Sequence, residues 1–108
     1  MLAEKQIQNE IIREFGTKSW IRIWRQNVGV AHIGNRAIKF GISGQADLTG
    51  VLSNGRRIEI EVKSPTGRQT EDQRNFQEII TRFNGIYILA HSVKDVYEKL
   101  AAYGITIG

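Results

Sequence analysis

Apolar residues recur along the chain with two periods, and the switches between them mark out the elements. From 3 to 15, Ile7, Ile11 and Phe15 fall at i, i+4 and i+8, with Ile12 widening the stripe, and Gly16 follows. That spacing predicts an amphipathic helix with a glycine stop. Residues 19–26 change to period two: Ile21, Ile23 and Arg25 share one face, Trp20, Arg22 and Trp24 the other, as in a strand. Residues 28–40 hold two apolar runs around Gly34-Asn35, which predicts a short hairpin or a long loop. Residues 47–52 and 57–63 flank Asn54-Gly55, a hairpin signal.

The second half is equally periodic. Thr70, with Gln73 three residues on, forms a capping box for a helix from about 71 to 83. Its stripe is Phe76, Ile79, Ile80 and Phe83, and Asn84-Gly85 closes it. Residues 85–91 form a nearly continuous apolar run, the mark of a buried strand. Ser92 with Asp95 caps a last helix from 93 to about 103, with Val93, Val96, Tyr97, Leu100 and Ala101 as its stripe. Residues 105–108 end the chain as an edge strand or a tail. The order predicts an α/β fold, a mixed β-sheet with a central hairpin flanked by helices. A helix crosses between 57–63 and 86–90, so those strands should run parallel.

The central hairpin carries the chemistry. Glu59, Glu61 and Lys63 alternate with Ile58, Ile60 and Val62, so one strand face is apolar and the other holds two carboxylates and an ammonium. Such a face is a poor way to stabilise a sheet and a good way to hold a divalent metal beside a phosphate. The turn decides whether Asp47 joins it. A two-residue Asn54-Gly55 loop sets Asp47 opposite Val62, on the other face. A three-residue loop, Ser53-Asn54-Gly55, with Gly55 left-handed in a bulge, sets Asp47 opposite Glu61. Joint action of the acids requires the second.

Composition narrows the setting. At 108 residues the chain is expected to be one domain, 1–108. Its 41% hydrophobic and 24% charged residues are ordinary for a globular protein. With no cysteine, disulfides and thiolate metal sites are excluded. No apolar run approaches the ~20 residues that cross a bilayer, and no signal peptide is visible, so a cytoplasmic protein with no membrane partner is expected. The net charge of +4 is unevenly spread. Residues 17–68 hold Lys18, Arg22, Arg25, Arg36, Lys39, Arg56, Arg57, Lys63 and Arg68 against Asp47, Glu59 and Glu61 alone. A segregated basic half suits a polyanion, or is a generic basic surface.

Several side chains allow two readings. Glu4 projects about 60° from Ile7 at ~100° per residue, inside the apolar arc, where helical geometry favours N-terminal charge compensation. Glu14 lies near the arc on its other side. Gln73 is a complete cap partner, yet its first-turn position lets it face the acids. The tryptophans read as core, or as rings beside arginine that stack on a base. Arg36 and Lys39 suit phosphate contact, Asn27 and Gly29 can shape the entry, and His32, isolated, reads as structural or surface.

Asp47 followed by Glu61-Val62-Lys63 has the spacing of the PD-(D/E)xK nuclease motif. With Glu4-x-x-Ile7-Gln8, Arg25-Gln26-Asn27-Val28-Gly29, Gly44-Gln45-Ala46-Asp47, Ile60-Glu61-Val62-Lys63, Gly67-Arg68 and Gln73 in order, nearly the whole chain resembles the VRR-NUC domain family. The form it resembles is the small stand-alone one typical of phages and prophages. One departure is Ala46, where the family usually has proline. The resemblance implies a restriction-endonuclease-like core and a homodimeric, structure-selective DNA endonuclease, most closely a Holliday-junction resolvase. Its alternatives are a flap or fork nuclease, a non-specific nickase, or a catalytically silent DNA-binding module.

It further implies that Asp47 and Glu61 bind Mg2+ or Mn2+, with the Val62 carbonyl completing the site. Glu4 reaches it directly or through water, and whether Glu4 or Glu14 is that helix acid stays open. Lys63 orients or helps deprotonate the attacking water, and Gln73 supports the lysine or the water. Arg22, Arg25, Arg36, Lys39 and Arg68 grip phosphates without reading sequence. Glu59 lies outside the motif.

Overall fold

The computed structural model describes residues 3–26 and 29–105, without the side chains of Gly29, Val30, Lys39 and Phe40. Asn27, the side chains of Gly29 and Lys39, and the tail at 106–108 therefore lie outside the described residues. Three helices are present among them: α1 (Glu4–Phe15), α2 (Glu71–Arg82) and α3 (Val93–Ala102). Six strands accompany them: β1 (Ile21–Arg25), β2 (Gly29–Ile33), β3 (Arg36–Phe40), β4 (Leu48–Leu52), β5 (Arg57–Val62) and β6 (Ile86–Ala90).

β1, β4, β5 and β6 form a four-stranded sheet in the order β1-β4-β5-β6. The first two pairings are antiparallel, and β5 and β6 run parallel, as the crossover through α2 requires. β2 and β3 make a separate antiparallel ribbon. Its two-residue turn starts at Gly34, whose φ of 61° suits the first turn position.

The alternation of side chains builds two layers of unequal size. Ile21, Leu48, Leu52, Ile58, Ile60, Val62, Ile86, Ile88 and Ala90 point to one face, against Ile7, Ile11 and Phe15 of α1 and Val96 and Leu100 of α3. α2 packs on the other face, where Phe76 and Ile80 meet Tyr87 and Ala46. It ends as expected, with Asn84 left-handed at φ 67° and Gly85 N–H donating to the Ile80 carbonyl at 2.8 Å, a Schellman closure. Gly16 stops α1 without leaving the right-handed helical region (φ −65°).

Three expectations about burial fail. Ile79 and Phe83 stand 48% and 77% exposed, because α2 seats only its Phe76–Ile80 edge on the sheet. Trp20 packs edge-on against Phe15, with ring centroids 6.1 Å apart, but Trp24 is 49% exposed. Ala101 of α3 is exposed as well.

Ile60→Ala is expected to cost about 2–5 kcal/mol by opening the main core. Ile79→Ala, on the open flank of α2, should stay within about 0.5 kcal/mol. Urea denaturation of both variants checks the contrast, and equal losses would contradict this packing.

Candidate active site

The site starts from the β4–β5 turn. Gly55 N–H donates to the Leu52 carbonyl at 2.8 Å, and Leu52 N–H to the Arg56 carbonyl at 2.9 Å. Gly55 is left-handed, φ 87°. The loop is the three-residue Ser53-Asn54-Gly55 form with its bulge. Leu48 consequently pairs with Ile60 and Thr49 with Glu59, so one step further Asp47 lies opposite Glu61. Asp47 Oδ2 accepts the Val62 N–H at 2.8 Å, which pins its side chain to β5.

Glu61 is only 2% exposed. Burial is the larger cause that pushes its pKa up to about 8. The Asp47 carboxylate comes next, through its charge and its capacity to share the Glu61 proton; Lys63 opposes both and Glu4 adds a little. Gln73 Nε2 donates to Glu61 Oε1 at 3.0 Å. The other oxygen, Oε2, is shielded from solvent and has no hydrogen-bond partner among the described residues. An ionised carboxylate in that state is costly unless a cation meets it.

Both readings of Gln73 hold at once. Its Oε1 accepts the Thr70 N–H at 2.9 Å and its backbone N–H donates to Thr70 Oγ1 at 3.2 Å, while its amide nitrogen serves Glu61. The approach of α2 depends on Gly44. At φ 80°, a Cβ there would stand 2.2 Å from the Asp72 carbonyl oxygen and 2.7 Å from Gln73 N. Only glycine lets the chain cross so close to the first turn of α2, and this explains the Gly44-Gln45-Ala46-Asp47 run physically. Ala46, buried among Phe76, Ile80 and Tyr87, fills the position as a small apolar contact.

The helix acids separate cleanly. Glu4 Oε2 accepts the Ser64 N–H at 3.1 Å, next to Lys63 at the end of β5. Glu14 instead accepts from the Tyr97 hydroxyl at 2.6 Å and pairs with Lys18 at 3.7 Å, away from the acid pair. Glu4 stands beside Asp47 and Glu61 rather than among them. Among the described residues no three acids, histidines or cysteines gather closely enough to hold a metal ion. Glu59, on the same strand face, is fully buried and already satisfied by the Thr49 hydroxyl and by Arg57 Nε at 3.3 Å.

Lys63 is half-buried just past β5, with its N–H on the Ala90 carbonyl at 3.0 Å. Its carbonyl meets His91 Nδ1 at 2.9 Å, and His91 N–H is held by Asp95 Oδ2 at 2.8 Å. This support of the lysine backbone was not apparent in the sequence, where His91 only ends an apolar run. Arg22, Arg36 and Arg68 are exposed, and their side chains make no hydrogen bond or ion pair with the described residues. Arg25 is engaged: its guanidinium donates to Gln8 Oε1 at 3.3 Å and to Asn9 Oδ1, tying β1 to α1.

A solved structure described as "VRR_NUC domain" is similar to this chain with a TM-score of 0.63 and 19% sequence identity, spanning 93% of this chain and 95% of that one. No protein-family model and no curated protein matches the chain. The fold is that of a VRR_NUC domain, the mixed α/β, restriction-endonuclease-like architecture that the motifs implied.

The raised Glu61 makes metal-free stability pH-dependent. Between the unfolded value near 4.5 and the folded value of about 8, the native state keeps a proton that the unfolded chain has released. Stability is therefore largest below that window and falls as pH rises through it. Thermal melts in EDTA should show this decline in the wild type and a flatter profile for Glu61→Gln; parallel profiles would contradict the assignment.

Proposed function

We propose that this chain is a VRR-NUC-type nuclease, a divalent-metal-dependent endonuclease that hydrolyses DNA phosphodiesters. The observation that carries the reading is the buried Glu61, with one oxygen lacking a hydrogen-bond partner among the described residues, set against the half-buried Asp47 and beside Lys63, on this fold. The pair fits the group: two hard carboxylate oxygens in one low-dielectric place suit Mg2+ or Mn2+, with the Val62 carbonyl as a further donor. When bound, such an ion supplies Lewis-acid polarisation of the phosphate and acidifies a water.

The protein's own groups do the rest. Asp47 and Glu61 define where the positive charge sits, and Gln73 holds Glu61 through one oxygen so that the other stays turned inward. Lys63, its backbone fixed at both N–H and carbonyl, presents the ammonium that orients the attacking water and offsets negative charge on the phosphoryl oxygens. In-line attack breaks the P–O3′ bond and leaves a 5′-phosphate and a 3′-hydroxyl. Glu4 holds the loop after β5 through Ser64. The side chains of Arg22, Arg36 and Arg68, free of hydrogen-bond and ion-pair partners among the described residues, contact phosphates.

For the substrate, the reading is a homodimeric, Holliday-junction-resolving enzyme in the cytoplasm, since a symmetric pair offers two sites to two strands. Support for that part is the motif resemblance alone.

With labelled four-way junction, flap, duplex and single-stranded DNA in Mg2+, Mn2+ or EDTA, paired symmetric cuts in the junction are expected, lost in EDTA. Asp47→Ala should abolish cutting, and Lys63→Ala should slow it about 10²- to 10³-fold. Flap cutting alone would retire the junction reading, and folded protein that cuts nothing in either metal would retire the nuclease.

A further inference from the structure

The sheet face that carries the acids is only half covered. α2 lies over the β6 side, with Phe76 and Ile80 near Tyr87. Towards β1 the face stays open: Trp24 is 49% exposed, Val51 39%, and Arg22 is exposed. The register makes rows across this face. Trp24 pairs with Thr49 and Thr49 with Glu59, while Arg22 pairs with Val51 and Val51 with Arg57. The next row beyond Trp24 is that of Asp47 and Glu61. From β1 to β5 is two strand spacings of ~4.8 Å, and one row is a step of ~6.7 Å. Trp24 is thus roughly 12 Å from the acid row of β5, the length of three to four nucleotide rises at ~3.4 Å.

The indole is not needed where it stands for the main core, which β1 joins through Ile21 and through Trp20 just before it. Opposite it sits Thr49, too short to wall it in. Electrostatics favours an anionic visitor. Glu59 is fully buried and bonded to Thr49 and Arg57, so its charge is compensated inside the face. The Arg22 side chain, one row away, has no hydrogen-bond or ion-pair partner among the described residues. A large aromatic surface left in water, flanked by a free guanidinium and continuous with a phosphate-cleaving centre, is the combination that holds a strand by its base and its backbone.

We propose that Trp24 is a stacking platform for an unpaired nucleobase a few nucleotides from the scissile phosphate, with Arg22 on a phosphate of the same strand. The proposal rests on the nuclease reading and adds a substrate feature to it. Bases within an intact duplex already stack on one another and offer no free face, whereas a flap, gap or open branch point does. Trp24 thereby selects DNA with an unstacked base close to the cut.

The test measures binding by the full chain in EDTA, where no cutting occurs, to a plain duplex and to the same duplex carrying a short single-stranded gap or flap. Wild type, Trp24→Leu, Trp24→Phe and Arg22→Ala are compared, with circular dichroism confirming the fold of each. Trp24→Leu keeps apolar bulk without a π face and should lose about 5- to 150-fold on gapped or flapped DNA and little on duplex. Trp24→Phe should restore most of that loss. Indole fluorescence should be quenched on binding gapped DNA in the wild type and much less in Trp24→Phe, where only Trp20 remains. Arg22→Ala should weaken both substrates alike and reduce the salt slope by about one.

Equal losses on both DNAs, or none, in Trp24→Leu would overturn the platform. If the wild type still cuts DNA with Mg2+, the nuclease reading survives that result. Trp24-dependent binding of gapped DNA with no cutting in any metal would instead sustain the platform and remove the nuclease.

Discussion

The β4–β5 register is the constraint on which the rest of the molecule turns. A strand slipped by one residue exchanges its two faces, so a two-residue turn here would send Asp47 to the α1 side and bring Leu48 out. The left-handed bulge at Gly55 prevents this, and the Asp47 Oδ2 bond to Val62 N–H fastens the result. The same register seats Leu48 and Ile60 together in the main core. Packing and chemistry therefore enforce one another: the apolar face cannot be correct unless the acidic one is.

Holding a buried Glu61 beside the half-buried Asp47 carboxylate is unfavourable, and the surrounding elements show how the fold tolerates it. One Asp47 oxygen takes a backbone N–H, and one Glu61 oxygen takes the Gln73 amide. The loop that follows is steadied by Glu4 through Ser64. What stays uncompensated is a single inward oxygen and the raised proton affinity that goes with it. The unfavourable electrostatics are local to the atoms that a cation would meet, while the neighbouring acid on the same strand, Glu59, is hydrogen-bonded by Thr49 and ion-paired with Arg57. Two glutamates two residues apart on one strand thus have opposite fates, decided by what stands across from each.

Much of this was legible in the residues, because period and turn chemistry are local. The helices, the capping box at Thr70 and the parallel pairing of β5 with β6 follow from spacing alone. Joint action of Asp47 and Glu61 requires the three-residue loop, and the register has it. Burial was harder to read, because it depends on what covers a stripe. Ile79 and Phe83 have helical spacing with Phe76 and Ile80, yet α2 meets the sheet along one edge and leaves them in solvent. Trp24 alternates correctly and still has no helix above it. Both helix acids lie at or near the apolar arc, and angle alone does not choose between them; the contacts of Glu4 with Ser64 and of Glu14 with Tyr97 are tertiary facts with no local signature, as is His91 beneath Lys63. Arg25 looked like a free cation because Gln8 and Asn9 lie a helix away in sequence.

Gly44 and Gln73 bracket a stretch that holds Asp47, the hairpin, Glu61, Lys63 and the first turn of α2. Contacts within it span short separations: 15 residues for Asp47–Val62 and 12 for Gln73–Glu61, against 60 for Glu4–Ser64. Loop closure over such short distances carries a small entropic cost. The acid pair and its amide support therefore form a local unit whose closure costs less chain entropy than the contact with the N-terminal helix. In this chain an electrostatically unfavourable part of the native state is closed by short stretches of chain, and the contact of longest reach among these three is the one that only steadies it.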